Sequence, residues 1–362
     1  MARVRRSDRR QVHASMPPDP DNGRRRDGVT AAADDDVVRV AEAARAPAQV
    51  ALGHLPDLAE PPEPVFAGCG PEAYRVRVAT DDPVWSRPLI ARTSPAPVLA
   101  REAAWIRTVR SAGFPAPDVV ADHGGCVLVF REPAGTNLAE RMITDMASLP
   151  RLLADFGRLH AALHALPAVG PAEEHPAPDL SALGGLAAAG AADASARTAA
   201  GDAGVARQIA WLVAHAPPPG EPAVCHGDLN PAHVYLDGDD AVAVNWTEAG
   251  LADPEYDVAA TLTGFWTAAL YVDSAVQRRV LKMVRASLAG AYLAAYQDAA
   301  VRPLDDARLR YHQAFHLCRI GAGIVRYQSH GPDGPWDTAA HIAQPAAALD
   351  ELAREFWRLA ND

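Results

Sequence analysis

Lysine is nearly missing from this chain: of 34 basic residues in 362, Lys282 alone is a lysine. That absence excludes a GxxxxGK[ST] phosphate loop and argues against lysine Schiff-base chemistry. Cysteine is scarce and scattered. Cys69, Cys126, Cys225 and Cys318 form no CxxC pair, so a zinc ribbon or a disulfide scaffold is ruled out, and the thiols read as buried or free in a reducing compartment. Long hydrophobic runs are lacking too. The longest, roughly residues 259–272, is broken by threonines and falls short of the roughly 18 residues a membrane span needs. Net positive charge is absent: the formal charge of −11 argues against a nucleic-acid partner. These absences predict an acidic, cytoplasmic globular protein with neither membrane nor nucleic acid as partner.

What is present is enough apolar material, 49% of the residues, to build a full core without staples. The length suggests two domains or two lobes. Residues 1–35 are arginine-rich, broken by Pro17, Pro18 and Pro20, and poor in large apolar side chains; a disordered basic tail is expected. Residues 36–131 read as a small β-rich lobe. It opens with a short helical pattern over 36–46 and has strands at Ala73–Val78, Pro88–Arg92 and Val127–Phe130, with a helix at Leu99–Arg110. Residues 132–362 read as a larger helical lobe, starting with the 3.6-period pattern of Leu152, Phe156, Leu159, Leu163 and Leu166. An Ala/Gly-rich stretch over 171–204 reads as a loop with short helices. The fold class predicted is α+β, with two lobes.

Chemistry concentrates in residues 225–259. Strand-like Ala223-Val224-Cys225 runs into His226-Gly227-Asp228, and a hairpin is predicted from Val234-Tyr235-Leu236 to Ala241–Val244 through Asp237–Asp240. Asp228 lies in a turn just past a strand, where side chains stand at the mouth of a site. Folding the hairpin brings Asp228 and Asn245 into one cleft. A carboxylate there suits the orientation and deprotonation of a hydroxyl. A metal hydrolase built on His226, Asp228 and His233 is the weaker reading, because no separate ligand cluster stands at recognisable spacing.

The order His226-Gly227-Asp228, His233, Asn245-Trp246 and Asp253-Pro254-Glu255-Tyr256-Asp257 resembles the Brenner motif and following strand of the aminoglycoside and macrolide phosphotransferase family. The resemblance implies a bilobal protein-kinase-like fold and transfer of a phosphate from ATP or GTP to a hydroxyl of a small molecule, such as an antibiotic. It extends over roughly residues 50–300. Gly68 and Gly70 fall in the nucleotide-covering loop, Arg92 at the phosphate-contacting position of the third strand, and Glu102 at the helix glutamate that pairs with it. Phe130 and Glu132 fall at the hinge that meets the purine. Asp228 is implied as catalytic base, with Mg²⁺ held by Asn245 and His233. His226 and Asp257 are expected to hold the turn through hydrogen bonds to backbone. Some of the aromatics near Phe265 and Tyr271 are expected along the acceptor pocket.

Two positions depart from the family pattern. His233 stands where the motif has asparagine, and Asn245 where it has aspartate. His233 and the run Trp246-Thr247-Glu248-Ala249 resemble the macrolide branch. Asn245 removes the charge that offsets the cation, with Glu248 or Asp253 as the candidate replacements. This loss motivates the alternative: a pseudokinase that keeps the fold and nucleotide affinity in a binding or regulatory role.

Overall fold

Alternation along short segments builds the first sheet. In the computed structural model, which describes residues 40–65, 73–123, 127–171, 199–331 and 344–361 together with Ile342, five strands pair antiparallel in the order β1-β2-β3-β5-β4. They are β1 (Glu63–Pro64), β2 (Ala73–Val76), β3 (Leu89–Arg92), β4 (Val119–His123) and β5 (Val127–Arg131). The period of two sorts their side chains. Tyr74, Val76, Leu89, Ala91, Val127 and Val129 pack with Val40, Ala44 and Ala48 of helix α1 (residues 40–52). Ala73, Ile90, Leu128 and Phe130 pack on the opposite face against Leu99, Ala103 and Ile106 of helix α2 (Ala96–Ser111). Every residue of β3 is buried, as a strand covered on both faces must be. Arg92 shares the α2 face with Ile90, and this brings a guanidinium to α2 in the interior.

Helices make the rest: α3 (Leu138–Thr144), α4 (Leu149–His164), α5 (Ala199–Ala214), α6 (Pro254–Thr267), α7 (Ala275–Ala299), α8 (Asp306–His330) and α9 (Pro345–Asn361). Helix α4 lies along α7, and α8 lies against both α6 and α9. The α4–α7 approach requires a residue without a side chain, because a Cβ on Gly157 would stand 2.6 Å from the Tyr292 carbonyl oxygen. Helix α9 buries Ala348, Leu352, Phe356 and Leu359, an apolar stripe at helical spacing. Asp305 caps α8, its carboxylate accepting from the N–H groups of Ala307 and Arg308 at 2.9 Å.

Two small sheets complete the strands. One pairs β7 (Ala223–Cys225) with β10 (Gly250–Ala252). The other holds β6 (Thr136–Asn137), β8 (Val234–Asp237) and β9 (Asp240–Ala243) in the order β6-β8-β9. The β8–β9 hairpin turns at Gly238-Asp239, with Gly238 at φ 62°, as a two-residue turn demands. The two-lobed α+β arrangement is the one expected, with β1, β4, β6 and β10 added to the predicted strands. No described helix is long and apolar enough to cross a membrane. The basic tail, Gly68, Gly70 and most of the Ala/Gly-rich stretch lie outside the described residues.

Candidate functional site

Strand β7 ends in a turn that a single buried carboxylate holds. Asp257, in the first turn of α6, accepts the backbone N–H of His226 at 2.6 Å on Oδ2 and that of Gly227 at 2.8 Å on Oδ1. The turn needs glycine: Gly227 has φ +82°, and a Cβ there would lie 2.3 Å from the Glu248 carbonyl oxygen. His226 is fully buried, donates from Nε2 to the Val244 carbonyl at 2.9 Å and accepts the Asp228 N–H on Nδ1 at 3.3 Å. Burial pulls this imidazole down to about 4. Asp228 therefore projects from a fixed backbone, with 37% of its side chain exposed.

Behind the turn, His160 and His164 of α4 point Nε2 at Asp257 Oδ2, at 3.2 and 3.3 Å. Their Nδ1 atoms meet the hydroxyls of Tyr292 and Tyr296 at 2.6 and 2.7 Å. Burial, with His160 alongside, pulls His164 down to about 4. Burial pushes the Asp257 carboxyl up, but His160 and His164 outweigh it, and it stays well below the usual carboxylate range. These three residues are the one group of His, Cys, Asp or Glu side chains among the described residues arranged closely enough to share an ion. His164 hydrogen-bonds Asp257, and His160 lies within ion-pair distance of the same oxygen, its Nε2 without a hydrogen-bond partner. The other helical pair splits up: His316 Nε2 donates to the Tyr256 carbonyl at 2.9 Å, and His312 Nε2 lies 3.5 Å from Asp253.

The hairpin brings the next group together. Val244 N–H donates to the His233 carbonyl at 2.9 Å, which sets His233 beside Asn245. Asn245 adopts a left-handed backbone, φ 67° and ψ 62°, the one non-glycine residue with positive φ among the described residues; asparagine tolerates this region well. Its Oδ1 accepts from Arg92 Nη1 at 3.3 Å and from the Thr247 hydroxyl at 3.1 Å, and its Nδ2 faces His233 Nε2 at 3.2 Å. Arg92 and Glu102 form an ion pair at 2.5 Å with side-chain exposures of 0% and 1%. Glu102 Oε1 also accepts the Trp246 N–H at 3.1 Å. Burial raises the Glu102 carboxyl against the pull of Arg92. Three atoms of this pair, Arg92 Nε and Nη2 and Glu102 Oε2, are buried without a partner. Buried polar atoms of this kind call for water or a ligand.

The donors at positions 233 and 245 do not fit Mg²⁺. That ion takes hard oxygen ligands and carboxylate charge, whereas the pair offers one amide oxygen and one imidazole nitrogen, both engaged. Neither candidate replacement reaches them. Asp253 accepts from Gly220 N–H and Arg308, at 2.9 and 2.8 Å. Glu248 is half exposed and pairs with Arg319 at 3.6 Å.

The hinge residues are committed elsewhere. Phe130 is 1% exposed in the small-lobe core, and its backbone lies between β3 and β4. The Glu132 carboxylate grips Arg75 at 2.6 Å, and its N–H donates to the Pro88 carbonyl at 3.2 Å.

On the other side of Asp228 a cavity of about 950 Å³ opens between α3, α6, α7 and α8. Asp228 is the one carboxylate and Arg319 the one guanidinium among its described lining residues. Five of the eleven exposed large hydrophobic side chains in the described part of the chain line it: Ile143, Met146, Tyr271, Val276 and Val280. Phe265 and Tyr271 lie along it. Sequence reasoning missed Arg319 and the aliphatic wall, which have no local signal. It also missed Asn230, whose side chain accepts the Ala232 N–H at 2.9 Å and donates to Asp228 Oδ1 at 3.1 Å; the Asn-Pro pair at a helical start was the readable sign.

Solved structures share this architecture. A choline/ethanolamine kinase family protein from Mesorhizobium loti is 19% identical, with 84% of this chain and 94% of that one covered at a TM-score of 0.55. An aminoglycoside-3'-phosphotransferase of type VIII is 19% identical over 79% of this chain and 99% of its own, with a TM-score of 0.53. The amicoumacin kinase hAmiN, in complex with AMP-PNP, Ca²⁺ and Ami, is 13% identical, covering 82% and 91% at a TM-score of 0.51. No curated protein sequence matches the chain. The fold is the protein-kinase-like one. The profile of the APH group, described as the phosphotransferase enzyme family, matches residues 64–312, more than half the chain, and with the Asp228 turn inside that span the protein belongs to this family.

Proposed function

We propose that this chain transfers a phosphoryl group from ATP or GTP to a hydroxyl of a bulky, largely apolar small molecule. The observation that carries the reading is Asp228, a part-exposed carboxylate on a locked turn, opening onto an apolar cavity of about 950 Å³. In this reading the acceptor hydroxyl lies against Asp228, which takes its proton as the oxygen attacks the terminal phosphorus. The bond to the departing nucleoside diphosphate then breaks. Arg92, oriented by Glu102, supplies positive charge on the phosphate side. The nucleotide assignment is supported by family membership, by the unpartnered donors of Arg92, and by the nucleotide analogue bound to the similar amicoumacin kinase.

The cavity also discriminates among acceptors. A polycationic aminosugar must shed water from several ammonium groups, at a cost that only matching carboxylates offset. Asp228 alone cannot do this. An apolar ring system with a few hydroxyls, of the macrolide type, meets aliphatic walls instead. Cytoplasmic placement accords with Cys225 and Cys318, both buried and unpaired.

The test incubates the purified chain with ATP or GTP and a panel of macrocyclic lactones and aminoglycosides, and reads phosphorylated product by mass spectrometry. Asp228→Asn is expected to slow transfer by roughly 10²–10⁴-fold. Turnover of the cationic panel alone, or full activity in Asp228→Asn, refutes the reading. The second reading, a pseudokinase, is favoured by one observation, the Asn245 amide tied into hydrogen bonds. Nucleotide binding without product from any acceptor is its signature.

A further inference from the structure

We infer that this chain binds its nucleotide without a divalent cation, because a fixed guanidinium and a hydrogen-bond relay occupy the place of a metal pair. The inference rests on the nucleotide reading above. Its basis is the direction of each hydrogen bond.

Arg92 and the Thr247 hydroxyl both donate to one end of the Asn245 amide, so that end is the oxygen. The other end is therefore NH₂, and it donates to His233 Nε2. A ring nitrogen that accepts carries no proton, so the imidazole proton sits on Nδ1. From there it donates to the Asp228 carbonyl at 2.7 Å, with Asp228 Oδ2 at 3.6 Å. Asn230 is oriented independently: its oxygen accepts from Ala232 N–H, and its NH₂ reaches Asp228 Oδ1 at 3.1 Å and the Asp228 carbonyl at 3.3 Å, beside His233 Nδ1 at 3.0 Å. With the Asn230 hydrogens turned to the two Asp228 oxygens, the chain Glu102–Arg92–Asn245–His233–Asp228 is satisfied in this arrangement, running from the small lobe to the turn. Both Asn245 Oδ1 and His233 Nε2, the atoms a metal needs, are consumed by it.

A cation entering at Asn245 must break the relay. It must also sit beside the Arg92 guanidinium, whose Nη1 is 3.3 Å from the same oxygen, with no carboxylate added in return. The guanidinium, paired with Glu102, is the cation already present there. Arg92 keeps two unpartnered donors, Nε and Nη2, in the forked geometry that suits phosphate oxygens.

The experiment is calorimetric titration of the full chain with ATP and with GTP, once in EDTA and once in excess Mg²⁺, repeated on Asn245→Asp. For the natural chain, Kd is expected to change no more than about threefold between the two conditions. Asn245→Asp restores a carboxylate at the relay, and Mg²⁺ is expected to tighten its binding by about tenfold or more. A second measurement needs no variant: Mn²⁺ added with nucleotide to the natural chain should keep the paramagnetic resonance spectrum of the nucleotide-bound ion free in solution. Binding by the natural chain only with Mg²⁺, or about tenfold tighter with it, overturns the inference and leaves the nucleotide reading standing. Binding by Asn245→Asp alone also overturns it. Silence from both proteins in both conditions overturns the nucleotide reading itself.

Discussion

The carboxylate of Asp257 is the point at which one substitution tests how the site is held. It receives the N–H groups of His226 and Gly227 and faces His160 and His164, with its side chain fully buried. Asp257→Asn keeps the shape and removes the charge. The amide has one oxygen, so only one side of the former carboxylate still accepts. With that oxygen at the Oδ2 position, NH₂ meets the Gly227 N–H, donor against donor, across the present 2.8 Å. One charge-assisted bond is lost and its donor stranded, at about 2–3 kcal/mol. The bonds on the other side become neutral, at about 1 kcal/mol each. Removing a buried charge returns part of this. The net expectation is a destabilisation of about 3–4 kcal/mol, a large share of the roughly 5–15 kcal/mol typical of a domain.

Urea unfolding measures the loss. Trp246, fully buried with its ring 4.6 Å from that of His226, gives a fluorescence signal local to the turn. Hydrogen exchange gives the complementary local test: the amides of His226 and Gly227 should lose protection before those of β3. A destabilisation under about 1 kcal/mol with unchanged exchange at these two amides refutes the claim that Asp257 holds the turn.

Acid should weaken the protein early. His164 and His226 are held near 4 in the folded state against about 6.5 unfolded; below pH 6.5 the unfolded chain takes up protons that the folded one refuses, so stability is full above that value and drains as pH falls towards 4. By pH 5 each histidine should cost about 2 kcal/mol, and urea midpoints that stay flat from pH 7 to 5 contradict the assignment. Gly227→Ala forces a Cβ to within 2.3 Å of the Glu248 carbonyl oxygen at φ +82°. The expected result is a loss of about 2 kcal/mol or more and displacement of Asp228, checked by thermal unfolding beside the transfer assay; wild-type values in both refute it.

Some of this was written locally in the chain and some was not. Strands β2, β3 and β5 were readable because β2 alternates and β3 and β5 are apolar up to a closing arginine, and the β8–β9 hairpin because Asp237–Asp240 marks its turn. β4 escaped notice: Val119–His123 ends in an aspartate and a histidine, sits at the sheet edge and has an irregular register between Val119 and Ala121. β10 escaped because three residues between Ala249 and Asp253 carry no period. The approach of Asp228 to Asn245 followed from strand and turn signals alone. The apolar cavity did not, since Ile143, Ala260, Val276 and Arg319 come from four separate segments and each reads locally as ordinary helix or loop residue. Their convergence is a property of helix packing, and no window of sequence contains it.

The relay shows a different limit. Residue types at positions 92, 233 and 245 can be listed from sequence, but their chemistry depends on which atom faces which. Asn245 read alone is a weakened metal ligand, an aspartate without its charge. Placed with its oxygen towards Arg92 and its nitrogen towards His233, it is a spacer that passes orientation from one side chain to the next. An aspartate there could accept from Arg92 but has no hydrogen to give His233 Nε2, so the ring would move its proton to Nε2, with Nδ1 accepting from the Asn230 NH₂ at 3.0 Å, or take a second proton. The amide is therefore the residue that completes this arrangement, and the same substitution that removes a metal ligand also fixes the proton of His233 on the side of Asp228.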